Sequence, residues 1–465
     1  MAPHSRRLIP MKCLFSKMLT NEGWAHDALV QVDRRGMIVA LHTDADDTSV
    51  PRIEGVAIPG IPNAHSHAHQ RLLAGLAESG AGRGDFMRWR ELMYRAIGNF
   101  DPDSFEAVAA LAYMEMLKAG YTSVAEFHYL HHDVDGSSYS QPAEMGLRCL
   151  AAARDTGIAV TLLPVLYAYG GFGACPPDPG QSRFVCDADG YMDIFVALCD
   201  AGERVSGQGV GFAPHSLRAV DEGLIRDVLT AVRQIEPAAP AHIHVAEQRS
   251  EVEACLAWCG ARPVQRLLDE VDIDSRWNLV HATHMNESER EALAATGATV
   301  VVCPTTEANL GDGVFGAREW LELDGSFAVG SDSQISISPA DELRLLEYAQ
   351  RLVTESRLVL LPAAGGSVGR FLLDCAWAGG AASLGQPCGT LAEGARADVI
   401  VLDEEHPALV TRSEDDLLDA WVFSGGPGCV RHVFVGGRQV VDDHRHVNET
   451  SIINRYRDVA ECLLQ

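Results

Sequence analysis

Short apolar, β-branched runs alternate along the chain with longer stretches in which apolar residues recur at helical spacing. The runs 56–61, 122–128, 158–167, 208–214, 240–246, 277–281, 298–303 and 326–331 predict strands. The intervening segments 104–119, 142–156, 221–234, 286–296 and 339–353 predict helices, and 368–385 predicts a last one. Runs such as Val300-Val301-Val302-Cys303 lack polar alternation, which predicts burial on both faces, as in a parallel sheet. Eight strands separated by helices over about 300 residues predict an α/β fold, a (β/α)8 TIM-like barrel.

The two ends differ from the middle. Residues 27–56 and 396–447 read as short strands with turns, for example Ala397-Asp398-Val399-Ile400-Val401-Leu402-Asp403. Gly436-Gly437 reads as a hairpin turn. The expected organisation is a small β-sandwich domain built from both termini (1–56 and 388–450), a barrel over 57–387, and a C-terminal helix over 451–465.

Composition narrows the functional classes. The 465 residues are 47% hydrophobic and 22% charged, a globular mix. A net charge of −27 repels nucleic acid and anionic membranes, so neither is expected as a partner. No apolar run reaches the roughly 18 residues of a membrane helix. Met1–Lys17 does not read as a secretory signal. The 12 cysteines are scattered without CxxC pairs, which suits reduced thiols and a cytoplasmic location. The 37 basic residues include only three lysines, Lys12, Lys17 and Lys118, which leaves almost no candidate for lysine chemistry.

Eleven of the 18 histidines lie between His65 and His284, many at the C-terminal ends of predicted strands. Those ends form the active-site face of a barrel. In Asn63-Ala64-His65-Ser66-His67-Ala68-His69, strand periodicity turns His65 and His67 the same way, so both imidazoles can meet one metal. His69 continues that face, as a third ligand or a wall residue. His242-Ile243-His244-Val245-Ala246-Glu247 ends another strand and adds a carboxylate; the plainer reading is a half-buried strand with polar outer positions. Leu279-Val280-His281 and Val329-Gly330-Ser331-Asp332 complete a series at strands one, five, six and eight. Singly each motif is ordinary. Their shared position argues for a metal site.

This set resembles the amidohydrolase superfamily of metal-dependent deaminases and hydrolases. Trp89-Arg90-Glu91-Leu92-Met93-Tyr94-Arg95, Glu126-Phe127-His128-Tyr129, His215-Ser216-Leu217-Arg218, His244-Val245-Ala246-Glu247-Gln248 and Thr306-Glu307-Ala308-Asn309-Leu310-Gly311-Asp312-Gly313 resemble, within it, the formimidoylglutamate deiminases of bacterial histidine degradation. The similarity covers nearly the whole chain. It implies His65, His67, His244 and Asp332 as ligands of one divalent metal, with zinc expected before iron(II). It further implies Glu247 as proton shuttle, His281 as the group that orients water, and Asp332 as proton acceptor. Arg90 and Arg218 would hold the carboxylates of a small dianionic substrate, with Gln70, Tyr129 and His215 as further contacts. The implied reaction converts N-formimidoyl-L-glutamate to N-formyl-L-glutamate and ammonia, and the implied assembly is a homodimer. Strand four, Val210-Gly211-Phe212-Ala213-Pro214-His215, has no lysine to bridge two metals. Two positions depart from the pattern: His69 where Phe is expected, and Gln334 where His is expected. The alternatives are a purine or pyrimidine deaminase, a hydrolase of another formimino-amino acid, and a metal-free scaffold on the same fold.

Overall fold

The computed structural model describes residues 11–78, 93–94, 97–202, 207–362 and 364–463. The chain opens with β1 (Lys12–Thr20), β2 (Gly23–Val32), β3 (Ile38–His42) and β4 (Arg52–Pro59). The barrel strands follow: β5 (Ile61–Ser66), β6 (Tyr121–His128), β7 (Ala159–Leu166), β8 (Gln208–Val210), β9 (Ala213–Pro214), β10 (Ala241–Val245), β11 (Trp277–His281), β12 (Thr299–Val302) and β13 (Ser326–Val329). The chain then returns through β14 (Val399–Leu402), β15 (Val430–Val435), β16 (Arg438–Asp442) and β17 (Arg445–His446).

β5 to β8 run parallel in one sheet and β10 to β13 in another. Two parallel bridges, Phe212 to Ala241 and Ser66 to Asp332, join the sheets into a ring. β8 and β9 are one strand position, interrupted at Gly211-Phe212, and both pair with β7. β5, β6, β7, β10, β11 and β12 are buried at every residue, as the unalternating apolar runs require. The architecture is thus an α/β (β/α)8 barrel.

The terminal strands form one eight-stranded sheet in the order β17-β16-β15-β14-β4-β1-β2-β3. Alternation along β14 divides its side chains between two cores. Val399 and Val401 join an apolar cluster with Phe15, Val30 and Phe434, whereas Ile400 and Leu402 join the barrel's cluster. β15 and β16 make the expected hairpin, with Gly436 (φ 55°) and Gly437 (φ 74°) in the left-handed region that a two-residue turn demands.

The apolar run 56–61, read as the barrel's first strand, is split between two sheets. β4 continues to Pro59 and pairs with β14, and the barrel strand starts at Ile61. Both pieces are buried, so hydropathy runs on without a break where the chain changes sheet. Helix Pro102–Ala119 begins at a capping box between Asp101 and Ser104 and ends at Gly120. Helices 144–156, 222–235, 287–294, 339–354 and 368–384 follow the predicted segments, and the C-terminal helix is Glu449–Leu463. Helices Ala188–Gly202, Arg249–Cys259 and Pro263–Glu270 had no counterpart in the predicted elements.

Candidate active site

The strand ends turn their side chains into a cavity of about 160 Å³ lined by His67, His244, His281, Asp332, Glu247 and Arg218, among others. His65 and His67 leave the end of β5. They are tied to the last strand, since the Asp332 N–H donates to the His65 carbonyl (3.0 Å) and the His67 N–H to the Asp332 carbonyl (3.0 Å). Gly330 permits this approach, because a Cβ there would stand 2.7 Å from the His65 Cβ. Asp332 itself sits in the left-handed region (φ 48°).

Three Nε2 atoms converge. His65 Nε2 lies 3.2 Å from His67 Nε2 and 3.1 Å from His244 Nε2. A tetrahedral ion with bonds of 2.0–2.1 Å has ligand–ligand edges of about 3.3–3.4 Å, close to this spacing. His67 Nδ1 donates to the Phe127 carbonyl (2.9 Å) and His244 Nδ1 to the His215 carbonyl (3.1 Å). A carbonyl only accepts, so in both neutral rings the proton is on Nδ1 and the Nε2 lone pair faces inward. Burial pushes His65 down to about 3 and lowers His67 and His244 as well, which keeps all three neutral. Asp332 Oδ1 stands 3.5 Å from both His65 Nε2 and His67 Nε2. Burial opposes its ionisation, but the hydrogen bond to His65 and the neighbouring histidines hold its carboxyl well below the usual range. Three neutral imidazoles and a carboxylate, with lone pairs converging, suit a divalent cation. His69 stays outside this cluster. Its Nε2 meets the Tyr129 hydroxyl (3.1 Å) and its ring stacks on Phe105.

Beyond the imidazoles stand further ionisable groups. The turn Ala246-Glu247 is pinned because both backbone N–H groups donate to the Glu251 carboxylate (3.1 and 3.2 Å). Glu247 Oε1 lies 3.9 Å from His281 Nε2 and its Oε2 lies 3.9 Å from Arg218 Nη2. Burial raises the Glu247 carboxyl above its usual range. His281 Nε2 is also 3.7 Å from Asp332 Oδ2. Burial alone would lower His281, but Glu247, Glu307 and Asp332 carry it up to about 10. Arg218 Nε is shielded from solvent and has no hydrogen-bond partner among the described residues. Gln70 Nε2 donates to the Tyr129 hydroxyl (3.0 Å), and both residues line the cavity. The His215 ring packs against His244 and Tyr167. Arg90 lies outside the described residues.

Sequence reasoning missed several supports. Glu307 accepts from His281 Nδ1 (3.2 Å), and Glu251 holds the Glu247 turn. Gln334 braces the loop of Asp332, donating from Nε2 to Ser66 Oγ (3.0 Å) and to the Asp332 carbonyl (2.8 Å). The one available signal was that Glu307 and Glu251 each fall four residues after a residue at a barrel strand's end, in the first turn of a helix. Tyr94, Tyr167 and Phe184 complete the walls.

The chain is similar to known proteins along nearly its whole length. The amidohydrolase family profile matches residues 56–440. A formimidoylglutamate deiminase of Pseudomonas aeruginosa is 47% identical over 441 residues, covering 94% of this chain and 96% of its own. A 5-methylthioadenosine/S-adenosylhomocysteine deaminase of Halobacterium salinarum is 28% identical over 90% of this chain and 88% of its own. The crystal structure of an amidohydrolase from Brucella melitensis superposes with a TM-score of 0.91 at 42% identity, covering 98% of this chain and all (100%) of its own. An adenosine deaminase from Xanthomonas campestris, solved with bound zinc, shares the fold at a TM-score of 0.80 and 21% identity, covering 97% of this chain and 98% of its own. With the family profile spanning most of its length and a relative 47% identical across nearly all of it, the chain belongs to the amidohydrolase family.

Proposed function

We propose that this hydrolase converts N-formimidoyl-L-glutamate and water to N-formyl-L-glutamate and ammonia. The carbon–nitrogen double bond of the formimidoyl group is replaced by a carbonyl, and its nitrogen leaves as ammonia. The observation that carries the reading is a guanidinium, Arg218, facing the carboxyl of Glu247 in the same cavity as His67 and His244. The Pseudomonas aeruginosa relative supports it independently.

His65, His67, His244 and Asp332 would hold one divalent metal, zinc before iron(II). Such a metal supplies a Lewis acid and a water acidified to near neutral pH. The remaining chemistry belongs to the chain. Amine nitrogen leaves poorly unless protonated, and Glu247 is assigned to carry that proton because burial raises its carboxyl above the usual range. His281 Nε2 orients the attacking oxygen, and Asp332 accepts its proton. Arg218 takes one substrate carboxylate in bidentate fashion and Arg90 the other; Gln70, Tyr129 and His215 line the remaining contact. A single metal is favoured because strand four has no lysine, and Lys118 is paired with Glu449 (2.9 Å). Among the described residues no helix is long and apolar enough to cross a membrane. A cytoplasmic homodimer is proposed on the same resemblance.

A second reading has its own support. Tyr94, Tyr129, Tyr167 and Phe184 would stack a flat base, and a more distant relative is a nucleoside deaminase. Ammonia release separates the two. Formimidoyl-glutamate is expected to exceed its aspartate analogue and formimidoylglycine by at least about 100-fold in kcat/KM, the worth of one placed ion pair and chain length. Release from adenosine or guanine, with none from formimidoyl-glutamate, would overturn the proposal.

A further inference from the structure

Behind the cavity lies a second cluster of buried donor atoms. His281, Cys303 and Glu307 bring their ligand atoms within 4.8 Å of one another. Two of the three are already committed to each other. Glu307 Oε1 accepts from the backbone N–H of Cys303 (2.9 Å) and lies 3.2 Å from His281 Nδ1. An oxygen that accepts the Cys303 N–H is best matched by a donor on the ring, so Nδ1 carries the proton and Nε2 is left toward the cavity. The glutamate is itself held. It lies in the first turn of helix Pro304–Leu310, directly after β12, and its own N–H donates to the Cys303 carbonyl (2.9 Å). Side chain and backbone of Glu307 are thus fixed by the same residue.

His281 needs such a hold. Its backbone is left-handed (φ 68°), as is that of Ala282 (φ 49°), so the usual strand geometry no longer aims the ring. Further restraints are stacking on His244, at 25° and 5.6 Å, and an edge contact with His65 at 6.3 Å. Stacking fixes a plane but leaves the ring free to flip within it. A flip would exchange Nδ1 and Nε2 with ring carbons and remove a nitrogen from between Glu247 and Asp332, each under 4 Å away.

We propose that Glu307 is a positioning residue that accepts the Nδ1–H of His281 and so fixes the ring flip that presents Nε2 to the substrate. The role is one of geometry, and it rests on the hydrolytic reading above only for what Nε2 then does. A second metal at His281, Cys303 and Glu307 is the rival use of the same atoms.

The test compares Glu307→Leu with Glu307→Gln in the full-length, metal-loaded protein. The amide oxygen of glutamine can still accept both N–H groups, whereas leucine accepts neither. Glu307→Leu is expected to lower kcat by about 100-fold with KM within about threefold; removal of an orienting carboxylate from a catalytic histidine has cost up to about 10⁴ elsewhere. Glu307→Gln is expected to stay within about tenfold of the parent. Imidazole ¹⁵N spectra of the parent, with His281 assigned through His281→Asn, are expected to show the proton on Nδ1; this readout needs neither turnover nor a folded leucine variant. Absence of a proton on Nδ1 in the parent would overturn the proposal, as would wild-type kcat in Glu307→Leu. Equal loss of kcat, KM and Tm in both variants would also overturn it, by marking a purely structural role. Two metal equivalents in the parent, one of them lost in Glu307→Leu, would assign the cluster to metal instead. If the parent proves inactive on formimidoyl-glutamate but keeps the Nδ1–H signal, the substrate reading fails and this inference stands.

Discussion

In the terminal sheet, Arg396 and Asp398 are buried together and close on each other. Arg396 Nε and Nη2 donate to Asp398 Oδ2 (2.8 and 2.6 Å), Nη1 donates to Gln386, and Asp398 Oδ1 accepts the Gly436 N–H (2.9 Å). At the barrel mouth, equally buried groups are arranged the opposite way. His67 and His244 turn acceptor atoms toward His65 Nε2, and a carboxylate oxygen of Asp332 stands 3.5 Å from two of the three rings. Strain follows the same division. Ala246, His281, Ala282, Asp332 and Gln334 are left-handed around the site, whereas in the sheet such residues fall at a turn, as at Asp443 and His444, or within β2, as at Asp27. Buried polar atoms are ordinarily paired, because each unmet partner costs on the order of 1–3 kcal/mol. A closed pair therefore reads as structure, and converging acceptors read as a site completed by a cation.

Substitutions can break this contrast. The largest effect is expected at Glu247→Gln, which should lower kcat by about 10²–10⁴-fold while the metal stays bound; loss of metal, measured by elemental analysis, would contradict its assignment outside the ligand set. Next comes Arg396→Ala. It leaves Asp398 buried without its partner and should cost about 3–5 kcal/mol in urea unfolding, with kcat per folded molecule unchanged. A change in kcat there would blur the division between the two regions. Arg218→Ala should cost about 1.5–3 kcal/mol in kcat/KM, mostly as a raised KM for the dianionic substrate.

The smallest effect is a pH dependence. His131 is buried, its Nε2 meets the Val165 carbonyl (2.8 Å), and burial pushes it down to about 4. The unfolded chain titrates this group near 6.5, so between about 4 and 6.5 it binds the proton that the folded chain refuses. The His131 contribution is complete above about 6.5 and is lost as pH falls toward 4. His131→Asn should flatten the acid limb of stability by at most about 1.4 kcal/mol per pH unit. An unchanged slope would show that His131 is protonated in the fold.

The sequence displayed some of this directly. β11 is the predicted 277–281 to the residue, since Trp277-Asn278-Leu279-Val280-His281 is bounded on both sides by polar turns. β1 went unread because its lysines break the apolar run, although Phe15 and Met18 are fully buried. His242 and His244 are both buried, so the reading of their strand as half exposed does not hold. The motif histidines were legible because strand periodicity alone brings His65 and His67 to one side. Glu307 was not, being 26 residues from His281 and brought to it only by the pairing of β11 with β12. Gln334, visible only as a departure from a pattern, is the brace between first and last strands.

The metal-to-protein ratio of the purified full-length chain tests the central claim most directly. One divalent ion per chain, falling to none in His244→Ala, is the expected result. Two ions per chain, or none in a protein that releases ammonia at full rate, would contradict it.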